Sequence, residues 1–118
     1  MIGSTRTVVV RAHAAPVDMR KSFDTLCAVV QAAGFSPLSG ELFLFVSRNR
    51  TRAKVLYWDG TGLCVFSKRL EQGRFAAPWE HDGALQLTTT ELALFLEGSK
   101  LVGKVALSPA PYAAPAVQ

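Results

Sequence analysis

Leu42-Phe43-Leu44-Phe45-Val46 is followed, after the link Ser47 to Arg52, by Ala53-Lys54-Val55-Leu56-Tyr57-Trp58. Across Asp59-Gly60-Thr61-Gly62 the chain then continues as Leu63-Cys64-Val65-Phe66-Ser67, and the reading of these three runs decides the fold. LFLFV is apolar at every position, the pattern of a strand covered on both faces. The link holds no core-forming residue, and Asp-Gly-Thr-Gly marks a tight turn because Asp and Gly tolerate positive φ. The three runs predict an antiparallel β-meander.

Outward toward the N-terminus, Thr7 to Ala12 (TVVVRA) is short and β-branched and predicts a strand. A helix over 18–33 is expected next, with the Asp18 carboxylate as N-cap and Met19, Phe23, Leu26, Cys27, Val30 and Ala33 as one apolar stripe. Gly34 and Pro37 stop it. Toward the C-terminus, Pro78, Asp82 and Gly83 mark loops, and Leu85-Gln86-Leu87 alternates like a short strand. Thr88 and Glu91 have the spacing of a capping box and open a helix over 89–97, with Leu92, Phe95 and Leu96 inward and Gly98 at its end. Pro109, Pro111 and Pro115 make residues 105–118 an Ala/Pro-rich flexible tail by composition. The expectation is one α+β domain over 1–104, an antiparallel meander packed against two short helices.

At 118 residues, 49% hydrophobic and 19% charged, the chain suits one packed core. No apolar run approaches the ~20 residues that span a bilayer. The run Val8-Val9-Val10 is stopped by Arg11, which argues against a signal peptide and leaves the cytoplasm as the expected compartment. Cys27 and Cys64 lack the paired spacing of a zinc site and are expected to be buried free thiols. Neither a metal nor a cofactor is expected. Net charge is +4, and its distribution is uneven. Residues 48–74 carry Arg48, Arg50, Arg52, Lys54, Lys68, Arg69 and Arg74 against Asp59 and Glu71 only, a block that suggests a polyanionic partner.

Four segments in order, DMRKSFD (Asp18 to Asp24), LFLF (Leu42 to Phe45), KVLYWDG (Lys54 to Gly60) and KRLEQGRF (Lys68 to Phe75), resemble the small TnpB accessory proteins of the IS-66 group of insertion sequences. The likeness spans roughly residues 8 to 98, with Ser22 and Gln72 standing where Gly and Arg are expected. It implies a bacterial protein that works beside a separate, larger transposase and has no defined chemical activity of its own. The longer RNA-guided nucleases that share the gene name are unlike this chain.

That context sharpens the candidate sites. Arg20 and Lys21, at the start of the expected first helix, either contact DNA or are solvated beside a structural Asp18. In RNRTRAK, an extended segment would set Arg48, Arg50, Arg52 and Lys54 on one side to follow a phosphate backbone, with Asn49 able to reach base edges. The competing reading is a solvated hairpin tip. Lys68, Arg69 and Arg74 extend the basic set, and Arg74 meets Glu71 if that stretch is helical. Within YWDG one aromatic should pack inward while Asp59 shapes the turn. Trp58 and Trp79 are the candidate anchors for a protein partner, the transposase. Asp18, Asp24 and Asp59 are the carboxylates a metal-dependent nuclease would need. Two of them already have structural uses, and neither His13 nor His81 sits in a catalytic motif, so no catalytic residue is assigned.

Overall fold

The computed structural model describes residues 8–98. Its elements are β1 (Val10–Ala12), α1 (Phe23–Ala32), β2 (Leu42–Val46), β3 (Arg52–Trp58), β4 (Leu63–Arg69), a 3-10 turn (Pro78–Glu80), β5 (Leu85–Leu87) and α2 (Thr89–Phe95). The strands form one sheet in the order β4-β3-β2-β1-β5. β2, β3 and β4 are the expected antiparallel meander, in registers that include Leu44↔Val55 and Val55↔Phe66. β1 joins β2 in parallel, with α1 in the connection, and β5 pairs antiparallel with β1 on the far side. The fold is α+β, and the sheet is mixed at that edge.

β2 is buried at all its positions because it is the middle strand and has a helix on each side. Alternation divides its side chains between two clusters. Phe43 and Phe45 meet Val17, Leu26, Val30 and Leu56 on the α1 face. Leu42, Leu44 and Val46 meet Val55, Phe75, Leu92 and Phe95 on the α2 face, where the Phe75 and Phe95 rings stack at 5.7 Å.

α2 begins as its sequence requires. The Glu91 amide donates to Thr88 Oγ1 at 3.0 Å, and the Thr88 amide donates to Glu91 Oε1 at 2.9 Å. Thr88→Ala is expected to cost about 1 kcal/mol in urea unfolding; an unchanged midpoint would remove the cap from the account.

α1 departs from expectation at its start. It begins at Phe23, and Ser22, not Asp18, occupies the cap position. The Ser22 amide donates to Thr25 Oγ1 at 2.8 Å. Asp18 is engaged earlier: its Oδ1 accepts the Arg20 amide at 2.8 Å, and its carbonyl accepts the Lys21 amide at 3.1 Å. This local side-chain turn competes with helix and delays it. The buried part of the apolar stripe is shorter as a result. Leu26 and Val30 are buried, Met19 and Cys27 are half-buried, Phe23 is 47% exposed and Ala33 is exposed. The other end is as expected. Gly34, at φ 93°, lets the Phe35 amide reach the Val30 carbonyl at 3.1 Å and its own amide reach that of Gln31 at 2.9 Å, closing the helix.

His13, just after β1, packs at a tilt against Phe45 with ring centroids 5.7 Å apart, and burial holds its imidazole below the ordinary 6.5. The unfolded chain therefore binds this proton more tightly. The stability contributed by neutral His13 is complete above 6.5 and lost as pH falls through the lower folded-state value. Urea midpoints measured across that window should fall on acidification, and His13→Gln should flatten this part of the profile.

Strand β3 begins one residue before the expected run and β4 ends two residues after, taking in Arg52, Lys68 and Arg69. Residues 71–73 form bends without helix, so Arg74 and Glu71 do not pair; Glu71 instead accepts from Arg69 at 3.0 Å. Both cysteines are free and half-buried, less covered than expected. The tail 105–118 and the start of the first expected strand, Thr7, lie outside the described residues.

Candidate nucleic-acid interface

The link between β2 and β3 is a tight turn and not an extended arm. The Ser47 amide donates to the Arg52 carbonyl at 2.9 Å, and the Arg52 amide donates to Ser47 Oγ at 3.1 Å. Asn49 Oδ1 accepts from Ser47 Oγ, the Thr51 amide and Thr51 Oγ1 at 2.8, 3.2 and 2.9 Å. Its carboxamide oxygen is thus committed to the turn and is not presented to base edges. Arg50 takes φ 64°, the left-handed conformation that lets so short a link reverse the chain. The alternation that would align Arg48, Arg50, Arg52 and Lys54 therefore holds only for Arg52 and Lys54, within β3.

Strand parity then sorts the basic residues. Arg52 and Lys54 share the α1 face with buried Leu56, and Arg69 lies directly opposite Arg52 in the β3–β4 register. Arg48, Arg52 and Arg69 line one groove of about 710 Å³, together with Val17, Asp18 and Asn49. Lys54 reaches across the same face, its Nζ donating to the Lys21 carbonyl at 2.7 Å, so Lys21 and Lys54 lie side by side. Arg20 does not line the groove but pairs at 2.6 Å with Asp18, which does. That guanidinium holds the Asp18 carboxyl well below the usual carboxylate range. The groove's acid is thus ionised at any working pH and already neutralised by Arg20.

Neither Arg48 nor Arg52 pairs with an acid among the described residues, and Arg69 has only the exposed Glu71. Exposed ion pairs of this kind are worth little. Like charges directly opposite on a ladder repel, so an anion between Arg52 and Arg69 relieves a cost built into the sheet.

The remaining basic residues lie elsewhere. Lys68 points to the α2 face, where its Nζ donates to the Leu96 carbonyl at 2.7 Å and satisfies a group left open at the helix end. Arg74 is exposed in the loop after β4, and Arg50 is half-buried at the turn. Trp58 ends β3 on the α1 face, whereas Trp79 sits in the 3-10 turn against the α2-side core; both are half-buried and they share no surface. Asp59 shapes its turn as expected, its Oδ1 accepting the Thr61 and Gly62 amides at 2.9 Å each. Among the described residues no three His, Cys, Asp or Glu side chains gather into a metal site. No helix there is long and apolar enough to cross a membrane.

Sequence reasoning did not single out Phe35 and Leu38, or the exposure of Phe23. These are 39%, 54% and 47% exposed. The Arg11 guanidinium, 4.3 Å over the Phe35 ring, tempers that apolar surface.

The fold is a small mixed sheet that carries an arginine-lined groove on one face. Residues 8–105 match the model of the family described as IS66 Orf2 like protein, and the chain belongs to that family, accessory to the transposition of insertion sequences. It is similar to two uncharacterized proteins of Sinorhizobium fredii (strain NBRC 101917 / NGR234). The one called y4jC is 35% identical over 99 residues, covering 83% of this chain and 85% of that protein. The one called y4hO is 37% identical over 99 residues, covering 83% and 86%. No solved structure matches significantly.

Proposed function

We propose that this protein serves transposition by holding element DNA, its α1-face groove receiving the phosphate backbone. The observation that carries the reading is the convergence of Arg48, Arg52 and Arg69 on one groove, with the groove's acid neutralised by Arg20. Guanidinium groups bind phosphate oxygens through paired, charge-assisted hydrogen bonds. Such contacts set register and orientation on a duplex without reading sequence. Catalysis falls to the separate transposase. Three phosphate contacts give a log–log salt slope of about −2.7 and a drop in affinity of roughly fortyfold between about 50 and 200 mM salt. Fluorescence anisotropy with labelled element-end duplex measures both, and absence of binding at low salt would end the proposal.

A second reading, docking on the transposase of the same element, is favoured by exposed Phe23 and Leu38. Co-purification of the two proteins should then be abolished in Phe23→Asp with Leu38→Asp. If it is abolished instead in Trp58→Ala or Trp79→Ala, the aromatic anchors make the interface.

A further inference from the structure

β4 is the outermost strand of the sheet at one end. The Leu70 amide donates to the Thr51 carbonyl, and the Gly62 carbonyl accepts the Asp59 amide. Even-numbered residues of this stretch therefore turn their main-chain groups toward β3. By alternation Leu63, Val65, Ser67 and Arg69 turn theirs outward. Among the described residues no strand pairs with that edge.

Protein edges are normally blunted by shortness, proline or projecting lysine. β4 runs for seven residues without proline, whereas β5 at the opposite edge has three. Lys68 is drawn away to the Leu96 carbonyl, and Arg69 stands at the very end. From Leu63 to Ser67 the edge carries no charge. Beside it, on the α2 face, lies a mostly apolar groove of about 590 Å³ whose lining includes Val55, Tyr57, Phe66, Leu92 and Leu96 together with the carboxylate of Asp59; Phe66 is 46% exposed.

We propose that a second copy of the chain occupies this edge, β4 against β4, antiparallel, on a two-fold axis through Phe66. The pairing is self-complementary. With the axis at Phe66 all seven residues find partners: Val65 meets Ser67 of the second copy, Cys64 meets Lys68, and Leu63 meets Arg69. The outward-facing residues fall opposite one another, so each such pair exchanges two main-chain bonds. The two Phe66 residues form the central non-hydrogen-bonded pair, where side chains come closest. No basic residue faces another, whereas an axis at Lys68 would stack lysine on lysine. The contact is isologous and closes at two copies. It also sets the two apolar grooves on either side of a shared Phe66 contact.

Sedimentation of the full chain should give twice the 12.7 kDa of one copy, shifting to a single copy on dilution and in Phe66→Asp. Phe66 is already half exposed, so this variant should keep its circular dichroism. A second measurement does not depend on that variant. Phe66→Cys, with Cys27 and Cys64 changed to Ser, should cross-link to a dimer on mild oxidation, because the central Cα atoms lie about 4.5 Å apart, within disulfide reach. Native Cys64 should not cross-link, since antiparallel pairing sets the two Cys64 residues four positions, about 13 Å, apart along the strand. A single-copy mass at every concentration overturns the proposal. So does a dimer whose mass is indifferent to Phe66→Asp, or one that cross-links as readily through Cys64.

Discussion

Arg52→Ala combined with Arg69→Ala is expected to weaken binding to duplex DNA roughly a hundredfold at low salt, at about 1.5 kcal/mol for each charge-assisted hydrogen-bonding partner removed. The salt slope should flatten by about 1.8, leaving Arg48 alone on the phosphate backbone. The weakening should be similar on every sequence, because phosphate contacts carry no sequence information. Misfolding makes the opposite prediction about stability. The two arginines are exposed and directly opposed, so removing them relieves a cross-strand repulsion and should leave the protein no less stable, or a few tenths of a kcal/mol more so. Lys68→Ala is the informative control. It faces α2 and supports the Leu96 carbonyl, so it should lower stability and keep the salt slope. An unchanged slope in the double variant with a reduced slope in Lys68→Ala would move the interface to the other face.

Phe45→Ala should be the most damaging single truncation. The ring is 1% exposed in the middle of the central strand, enclosed by Leu26, Val30 and Leu56 and packed against His13. Nothing nearby can collapse into the space, because β2 is held on both sides by neighbouring strands. Removing a buried phenylalanine costs about 3–5 kcal/mol, against a total stability of roughly 5–15 kcal/mol for a domain. Thermal unfolding should fall by more than about 10 °C. Phe23→Ala, at a position half in water, should cost less than about 1 kcal/mol. Equal effects at the two sites would mean that α1 packs by a face other than that of Leu26 and Val30.

These two phenylalanines mark how far local pattern reaches. By sequence pattern both belong to the core. Phe45 lies in a stretch apolar at every position, which no exposed element sustains, so its burial is legible. Phe23 falls on a stripe that presumes a helix starting at Asp18. The start moves to Ser22 because Asp18 finds a nearer partner in the Arg20 amide, which leaves Phe23 at the first helical position, half in water at the helix end. The candidate site shows the same division. Charge density over 48–74 points to the region that lines the groove, but alternation in RNRTRAK requires an extended chain, and the Asn49-centred turn interrupts it.

Legible from the chain alone is what is settled within a few residues: the Thr88–Glu91 cap, the Asp59 turn and the glycine stop at Gly34. Each rests on contacts between near neighbours, so no distant segment can overrule it. Long-range packing sets the helices on opposite faces, runs β1 parallel to β2, and selects which cations converge. Arg69 faces Arg52 across the sheet, while its neighbour Lys68 points to the other side and holds a helix end. Such partnerships depend on strand register and on which face each helix covers, and these are set by packing between segments far apart in the chain.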